Sequence, residues 1–247
     1  MGKTTTRRTR TGALLPPSEK FPSYLGQAIE AGTIVARQEA EVGRMRGRIL
    51  LASIALFAER GYENCSIRTI AATVQLKAPT IYNYFPSKEA LLIEAIEFGM
   101  NDFFTSVLDG VEALAPEQKL LEIARRHLSY KIHHQVIARA NDRLIDPQFG
   151  RMFLPKKYQT KFGNRLDDYR YLIHSLVETC GDFAGRVDPM IATLSIMNQW
   201  DRVSYWYDPK GAISADEVIE QMMLLTSRVL GLKASATAGA IGLSRTQ

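Results

Sequence analysis

From residue 46 to 60, Ile49, Leu50, Ser53, Leu56 and Phe57 recur at steps of three and four, the period of one helical face. Gly61 follows where a left-handed C-cap is wanted. Ser66 is placed to cap a short helix through Thr73 that turns Ile67, Ile70 and Ala71 inward. A tight turn over 74–76 leads into a second short helix, 77–84. Pro79 is tolerated there because the first turn of a helix has no use for its N–H. Pro86 ends that helix, and Ser87 caps a long one that begins Lys88-Glu89-Ala90-Leu91-Leu92.

Beyond Asn101 the pattern stays helical. One helix is expected over 116–143. A second, over 156–180, carries Phe162, Leu166, Tyr169, Ile173, Leu176 and Cys180 at steps of three and four. Asp188 and Pro189 read as a cap and a first helical residue, and the helix they open, to about Tyr207, is apolar nearly all round. Asp208-Pro209-Lys210-Gly211 has turn chemistry. Ser214 and Glu217 form a capping box for a last helix, which Gly231 closes. Upstream, Leu25, Ala28, Ile29, Val35 and Ala36 suggest an extra helix over 23–42, interrupted by Gly32, behind a Thr/Arg/Pro-rich tail. No stretch alternates with period two, so the fold class is all-α.

Charge changes this picture at one end. The net charge is +5, and residues 1–48 hold nine Lys/Arg against four Glu, which leaves the remainder neutral. A basic arm on a neutral body fits a nucleic-acid partner, and fits a solvated tail with no partner equally well. Hydrophobic and charged contents of 46% and 23% are ordinary for a globular chain. No apolar run approaches the roughly 18 residues of a membrane span, and no apolar segment follows the basic N-terminus as in a secretory signal. Cys65 and Cys180 are far apart and form no ligand or disulfide framework, so a reduced, cytoplasmic setting is expected, with no cofactor.

Two short helices joined by a tight turn bury little alone and need the preceding helix behind them. That arrangement presents the second helix to a DNA major groove about 12 Å wide. Its outward residues, Lys77, Thr80, Tyr82, Asn83 and Tyr84, bring hydroxyls, an amide and an ammonium, with no carboxylate to repel phosphate. Asn83 suits an adenine edge, Lys77 a guanine, and Tyr82 a thymine methyl or a phosphate. The N–H groups at the start of the Lys88 helix, with the Lys88 ammonium, suit a phosphate. Arg44, Arg46 and Arg48 are expected to add phosphate or minor-groove contacts.

The run Leu56-Phe57-Ala58-Glu59-Arg60-Gly61-Tyr62, Ser66-Ile67-Arg68-Thr69-Ile70-Ala71 and Pro79-Thr80-Ile81-Tyr82-Asn83-Tyr84-Phe85-Pro86-Ser87-Lys88-Glu89-Ala90-Leu91-Leu92 resembles the DNA-binding domain of the TetR (tetracycline-repressor-like) family. The resemblance implies a dimeric repressor of double-stranded DNA whose second domain binds a small molecule and then releases the operator. It further implies phosphate contacts at Ser66, Thr80, Tyr82, Tyr84 and Lys88, and base readout at Lys77, Ala78 and Asn83. Gln75 stands where the family usually turns on Gly, and Lys77 where a capping Ser or Thr is common. The expected organisation is a basic extension over 1–42, a three-helix reading head over 43–103, a helical effector-binding and dimerisation domain over 104–232, and a flexible tail over 233–247.

In the second domain, His127, Tyr130 and His134 share a helical face, and Arg143, Arg170 and Trp200 are further residues that can orient a ligand. A satisfied core histidine is the plainer reading of each His. No carboxylate or Cys of the same helix joins His127 and His134, so no metal site is expected. Segments 142–143, 206–211 and 214–217 resemble more weakly a subgroup controlling fatty, aromatic or steroid catabolism, which often senses acyl-CoA thioesters. The final two helices are expected to form a four-helix interface in a homodimer on a near-palindromic operator. No G-x-S-x-G, H-E-x-x-H or Cys/His cluster suggests an enzyme. A constitutive DNA-binding regulator without an effector is the alternative.

Overall fold

A computed structural model of the protein describes residues 44–183 and 187–232, and among these every regular element is helical. The expected extra helix over 23–42 and both tails lie outside the described residues. α1 (Arg44–Arg60), α2 (Ile67–Thr73) and α3 (Ala78–Ile81) make the head, and α4 (Lys88–Leu108) leads out of it. α5 (Pro116–His133), α6 (Gln135–Leu144), α7 (Pro147–Phe153), α8 (Lys156–Cys180), α9 (Pro189–Trp206) and α10 (Ala215–Val229) follow. No helix among the described residues is long and apolar enough to cross a membrane.

The caps fall where side-chain chemistry places them. Ser66, Ser87, Asp188 and Ser214 each accept a backbone N–H at the start of a helix, and Ser214 with Glu217 completes a capping box. Two departures matter. The single helix expected over 116–143 is broken at His134, whose backbone (φ −118°, ψ 35°) leaves the helical region between α5 and α6. α7 is an additional short helix, capped by Asp146 through the N–H groups of Gln148 and Phe149, with Pro147 in its first turn. Asp146-Pro147 is the same start signal as Asp188-Pro189, but only seven residues follow it, too few for a period to show.

The core has two parts. Ile49, Phe57, Ile70, Ile81, Phe85 and Leu92 fill the head, and the same apolar body runs on into Ile137, Ala138 and Leu144 of α6. α1 therefore packs along both α4 and α6. Leu120, Ile123, Leu128, Ile173, Ile196, Trp200, Val203 and Met223 make the second part, among α5, α8, α9 and α10. Where α4 meets α6 the helices approach closely: a Cβ on Gly99 would stand 2.1 Å from Oδ1 of Asn141.

Candidate nucleic-acid interface and ligand cavity

In the head, Ser66 accepts from the Thr69 N–H at 3.0 Å, and the turn after α2 closes through Leu76 N–H to Ala71 carbonyl at 2.8 Å. Gln75 sits in that turn at φ +61°, the left-handed region that favours glycine. Lys77 precedes α3 with no side-chain cap. The expected helix over 77–84 is shorter: α3 proper is four residues, continued by turns in which Phe85 N–H reaches the Ile81 carbonyl at 2.9 Å. The turns still anchor Ile81 and Phe85 in the core while Lys77, Tyr82 and Asn83 are exposed and Ala78, Thr80 and Tyr84 half-buried. Tyr82 keeps 53% of its surface free, so its ring is no core aromatic.

Two cations expected to face DNA are engaged within the protein. Arg46 pairs with Glu94, donates to the Tyr84 carbonyl, and lies over the Phe85 ring, 4.4 Å from its centroid. It clamps the recognition segment to α1 and α4. Lys88 donates to the Tyr62 carbonyl at 2.5 Å, and burial lowers its pKa below that of an ordinary lysine. Arg44 opens α1, but its side chain is outside the described residues, whereas Arg48 is exposed.

Behind the head, α4 to α9 enclose a cavity of about 820 Å³. Phe103 and Phe104, Phe149 and Phe153, and Leu166 and Met197 supply apolar wall. Its inner side is polar and buried. Lys131, only 4% exposed, meets Asp142 at 2.6 Å and Asp201 at 3.1 Å. His127, 1% exposed, contacts Asp201 through Nε2 at 3.1 Å and the Tyr169 hydroxyl through Nδ1 at 3.0 Å. Tyr130 donates to Asp102 at 2.7 Å.

Burial lowers the His127 pKa, partly countered by Asp201. Burial also works against the Lys131 ammonium, but Asp201 and Asp142 more than offset it and raise its pKa. For Asp142 burial prevails over Lys131 and pushes the carboxyl up. For Asp201 burial is overcome by His127 and Lys131, which hold it below the usual carboxylate range. One ammonium thus serves two carboxylates, and Arg143, Arg170 and Arg202 lie on the more exposed lining.

Of the six residues expected to orient a ligand, His127, Tyr130, Arg143 and Arg170 line the cavity and two do not. Trp200 is fully buried and donates to Thr226 at 2.9 Å, which makes it a core residue. His134 belongs to the helix break: its ring packs on Tyr130, centroids 5.0 Å apart, and its buried Nδ1 has no hydrogen-bond partner. Arg143 donates to the Ala58 carbonyl of α1 at 2.6 Å, and Arg170 pairs with Asp167. Sequence reasoning missed Asp102, Lys131, Asp142, Tyr169, Asp201 and Arg202. Lys131 between Leu128 and Ile132, and Asp201 in an otherwise apolar helix, were the available signals. Asp201 also supplies the carboxylate that the α5 face lacks. No group of three metal-binding side chains is found among the described residues.

Comparison with known proteins agrees with both halves. A model of "Bacterial regulatory proteins, tetR family" matches residues 49–95, and a model of "Tetracyclin repressor-like, C-terminal domain" matches 113–230. An uncharacterised HTH-type transcriptional regulator of Bacillus subtilis is 36% identical over 61 residues, a stretch covering 25% of this chain and 21% of that protein. The HTH-type transcriptional repressor KstR2 of Mycobacterium tuberculosis is 26% identical over 196 residues, 76% of this chain and 94% of its own. In fold the chain is similar to AibR, solved in complex with isovaleryl coenzyme A and operator DNA, with a TM-score of 0.64 at 20% identity over 74% of this chain and 97% of that one. With its head and its bundle each matched, the chain belongs to the tetR family of bacterial regulatory proteins.

Proposed function

We propose that the protein is a cytoplasmic, ligand-responsive repressor, a homodimer that holds a near-palindromic double-stranded operator and releases it when a small, largely apolar effector enters the cavity. The observation that carries this reading is the 820 Å³ cavity against the head, with aromatic walls, a buried polar inner side and three arginines toward the outside. Its size suits a small organic ligand. An acyl-CoA thioester, or an aromatic or lipid catabolite, fits an apolar body with an anionic end. The isovaleryl coenzyme A complex of AibR and the name of KstR2 as a repressor lend support.

Ser66, Thr80, Tyr82, Tyr84 and Lys88 serve the phosphates in this reading, and Lys77, Ala78 and Asn83 the bases. The division into a head over 43–103 and a sensor over 104–232 belongs to the same proposal. The dimer is supported by apolar side chains left exposed on the last two helices: Ile191, Leu194 and Trp206 of α9, and Leu224, Leu225 and Val229 of α10. Native mass spectrometry tests it, a lone 27.7 kDa species counting against it.

The decisive experiment is fluorescence anisotropy on a duplex selected by the protein from random DNA, titrated with isovaleryl-CoA and a long-chain acyl-CoA. Release by either supports the reading. Unchanged binding with every thioester, together with unchanged melting temperature, would favour the constitutive regulator instead.

A further inference from the structure

The cavity touches the head at two neighbouring places. Arg143, on the cavity lining, donates to the Ala58 carbonyl in the last turn of α1. Just beyond that helix, the Tyr62 ring stands against Phe149 and Phe153, both of which line the cavity from α7. Their centroids are 6.4 Å and 5.2 Å from that of Tyr62, and 4.8 Å from each other. The same Tyr62 holds Lys88 twice: its carbonyl accepts from the ammonium at 2.5 Å, and the ammonium lies 4.2 Å from the ring centroid. Lys88 is the first residue of α4, directly after the recognition segment.

A lysine loses rotamer freedom when its ammonium is fixed. A contact that fixes it in advance removes that cost from binding a phosphate. The ammonium has three N–H groups, and the Tyr62 carbonyl takes one.

We propose that Tyr62 is a positioning residue that passes the state of the cavity's α7 wall to the Lys88 ammonium, and so to the phosphate contact at the start of α4. The proposal rests on the reading of a DNA-binding head and an effector cavity, and adds the route between them. A molecule lodged against Phe149 and Phe153 displaces the rings on which Tyr62 packs. Tyr62 shifts with them, and Lys88 loses the carbonyl and the ring face that hold it. The Arg143 bond to Ala58 ties the end of α1 to α6, so the displacement is expressed in the segment that follows α1.

The test needs no effector. Operator affinity of the full-length protein is measured by anisotropy across a range of salt concentrations for wild type, Phe153→Leu, Lys88→Met and the double variant, on the selected duplex. Each phosphate contact adds about 0.9 to the slope of log K against log salt. Lys88→Met is expected to lower the slope by about one for each head on the duplex. Phe153→Leu is expected to lower it in the same direction by less, and to have no further effect once Lys88 is Met. Tyr62→Phe keeps both the ring and the carbonyl and is expected to match wild type. A Phe153→Leu head that is merely less stable would lower the active fraction and leave the slope alone. Additive effects in the double variant, or an unchanged slope for Phe153→Leu, would overturn the proposal. Failure to select any duplex would instead overturn the DNA-binding reading, so the two failures are distinct.

Discussion

The reading head and the cavity bundle treat polar side chains in opposite ways. In the head, Lys77, Tyr82 and Asn83 stand outside an apolar core and spend no folding energy on desolvation. In the bundle, His127, Lys131 and Asp102 are at most 4% exposed, and Lys131 is held by carboxylates on two different helices. A buried polar group costs several kcal/mol unless partnered, so the bundle's polar groups must be arranged together or not at all. The head can therefore vary its contact residues with little effect on folding, whereas the cavity lining is part of what keeps the bundle folded.

Truncation in each region breaks or sharpens that contrast. Trp200→Ala removes a fully buried ring and leaves Thr226 without its donor, and should lower unfolding free energy by about 3–5 kcal/mol in urea denaturation. A loss below about 1 kcal/mol would mean that the bundle core is not organised around this residue. Tyr82→Ala, by contrast, should leave stability within about 0.5 kcal/mol while weakening binding to all DNA sequences. Asn83→Ala should cost about 1–3 kcal/mol and relax preference at one position of each half-site, read by selection on randomised duplexes. If Tyr82→Ala left the anisotropy titration unchanged, the recognition segment would be misplaced.

The fourth prediction concerns pH. Burial lowers the His134 pKa from 6.5 to about 4. The unfolded chain therefore takes up a proton between these values while the folded chain does not, and stability falls as pH drops below about 6.5. His134→Gln should flatten that part of the stability–pH curve, a difference on the order of 1–2 kcal/mol at pH 5. An identical slope in both proteins would show that the ring is no less basic folded than unfolded.

Two arginines two positions apart on α1 give a finer comparison. Arg46→Ala should lower the melting temperature, since Glu94, the Tyr84 carbonyl and Phe85 lose their shared partner. Arg48 is exposed, and Arg48→Ala should leave melting unchanged and reduce the salt slope of DNA binding. A small gain is expected at Gln75, where φ +61° lies in the left-handed region that favours glycine. Gln75→Gly should stabilise the head by up to about 1 kcal/mol, less the extra freedom of glycine in the unfolded chain. A fall in melting temperature would mean that the Gln75 side chain does more than occupy a turn.

Much of the head was legible because its signals are local. Ser66, Pro79, Pro86 and Ser87 punctuate it within some twenty residues, and its expected contact residues fall within the same span. Gln75 and Lys77 stood out as departures, and the structure gives each a physical meaning, a strained turn and an uncapped helix start. What sequence could not give was the engagement of Arg46 with Glu94 or of Lys88 with Tyr62, since those pairs are 48 and 26 residues apart.

The cavity was barely legible. His127 and Tyr130 were found from helical spacing, but the same spacing carried the face on to His134, across a helix break. An aromatic with an N–H suits a core as well as a pocket, and the structure gives Trp200 to the core.

By itself the sequence determined most of the helices and caps, the break at His134 and α7 excepted, together with the helix-turn-helix and the stripe of apolar residues on the last two helices, because each depends on residues within one or two turns of one another. Only the tertiary structure decided that Asp142 and Asp201 meet on Lys131, that His127 is a partnered buried base, and that α7 closes a cavity against Tyr62. Those contacts join residues as far as 91 positions apart, Tyr62 and Phe153, and their identities follow from which helices pack together rather than from any local preference.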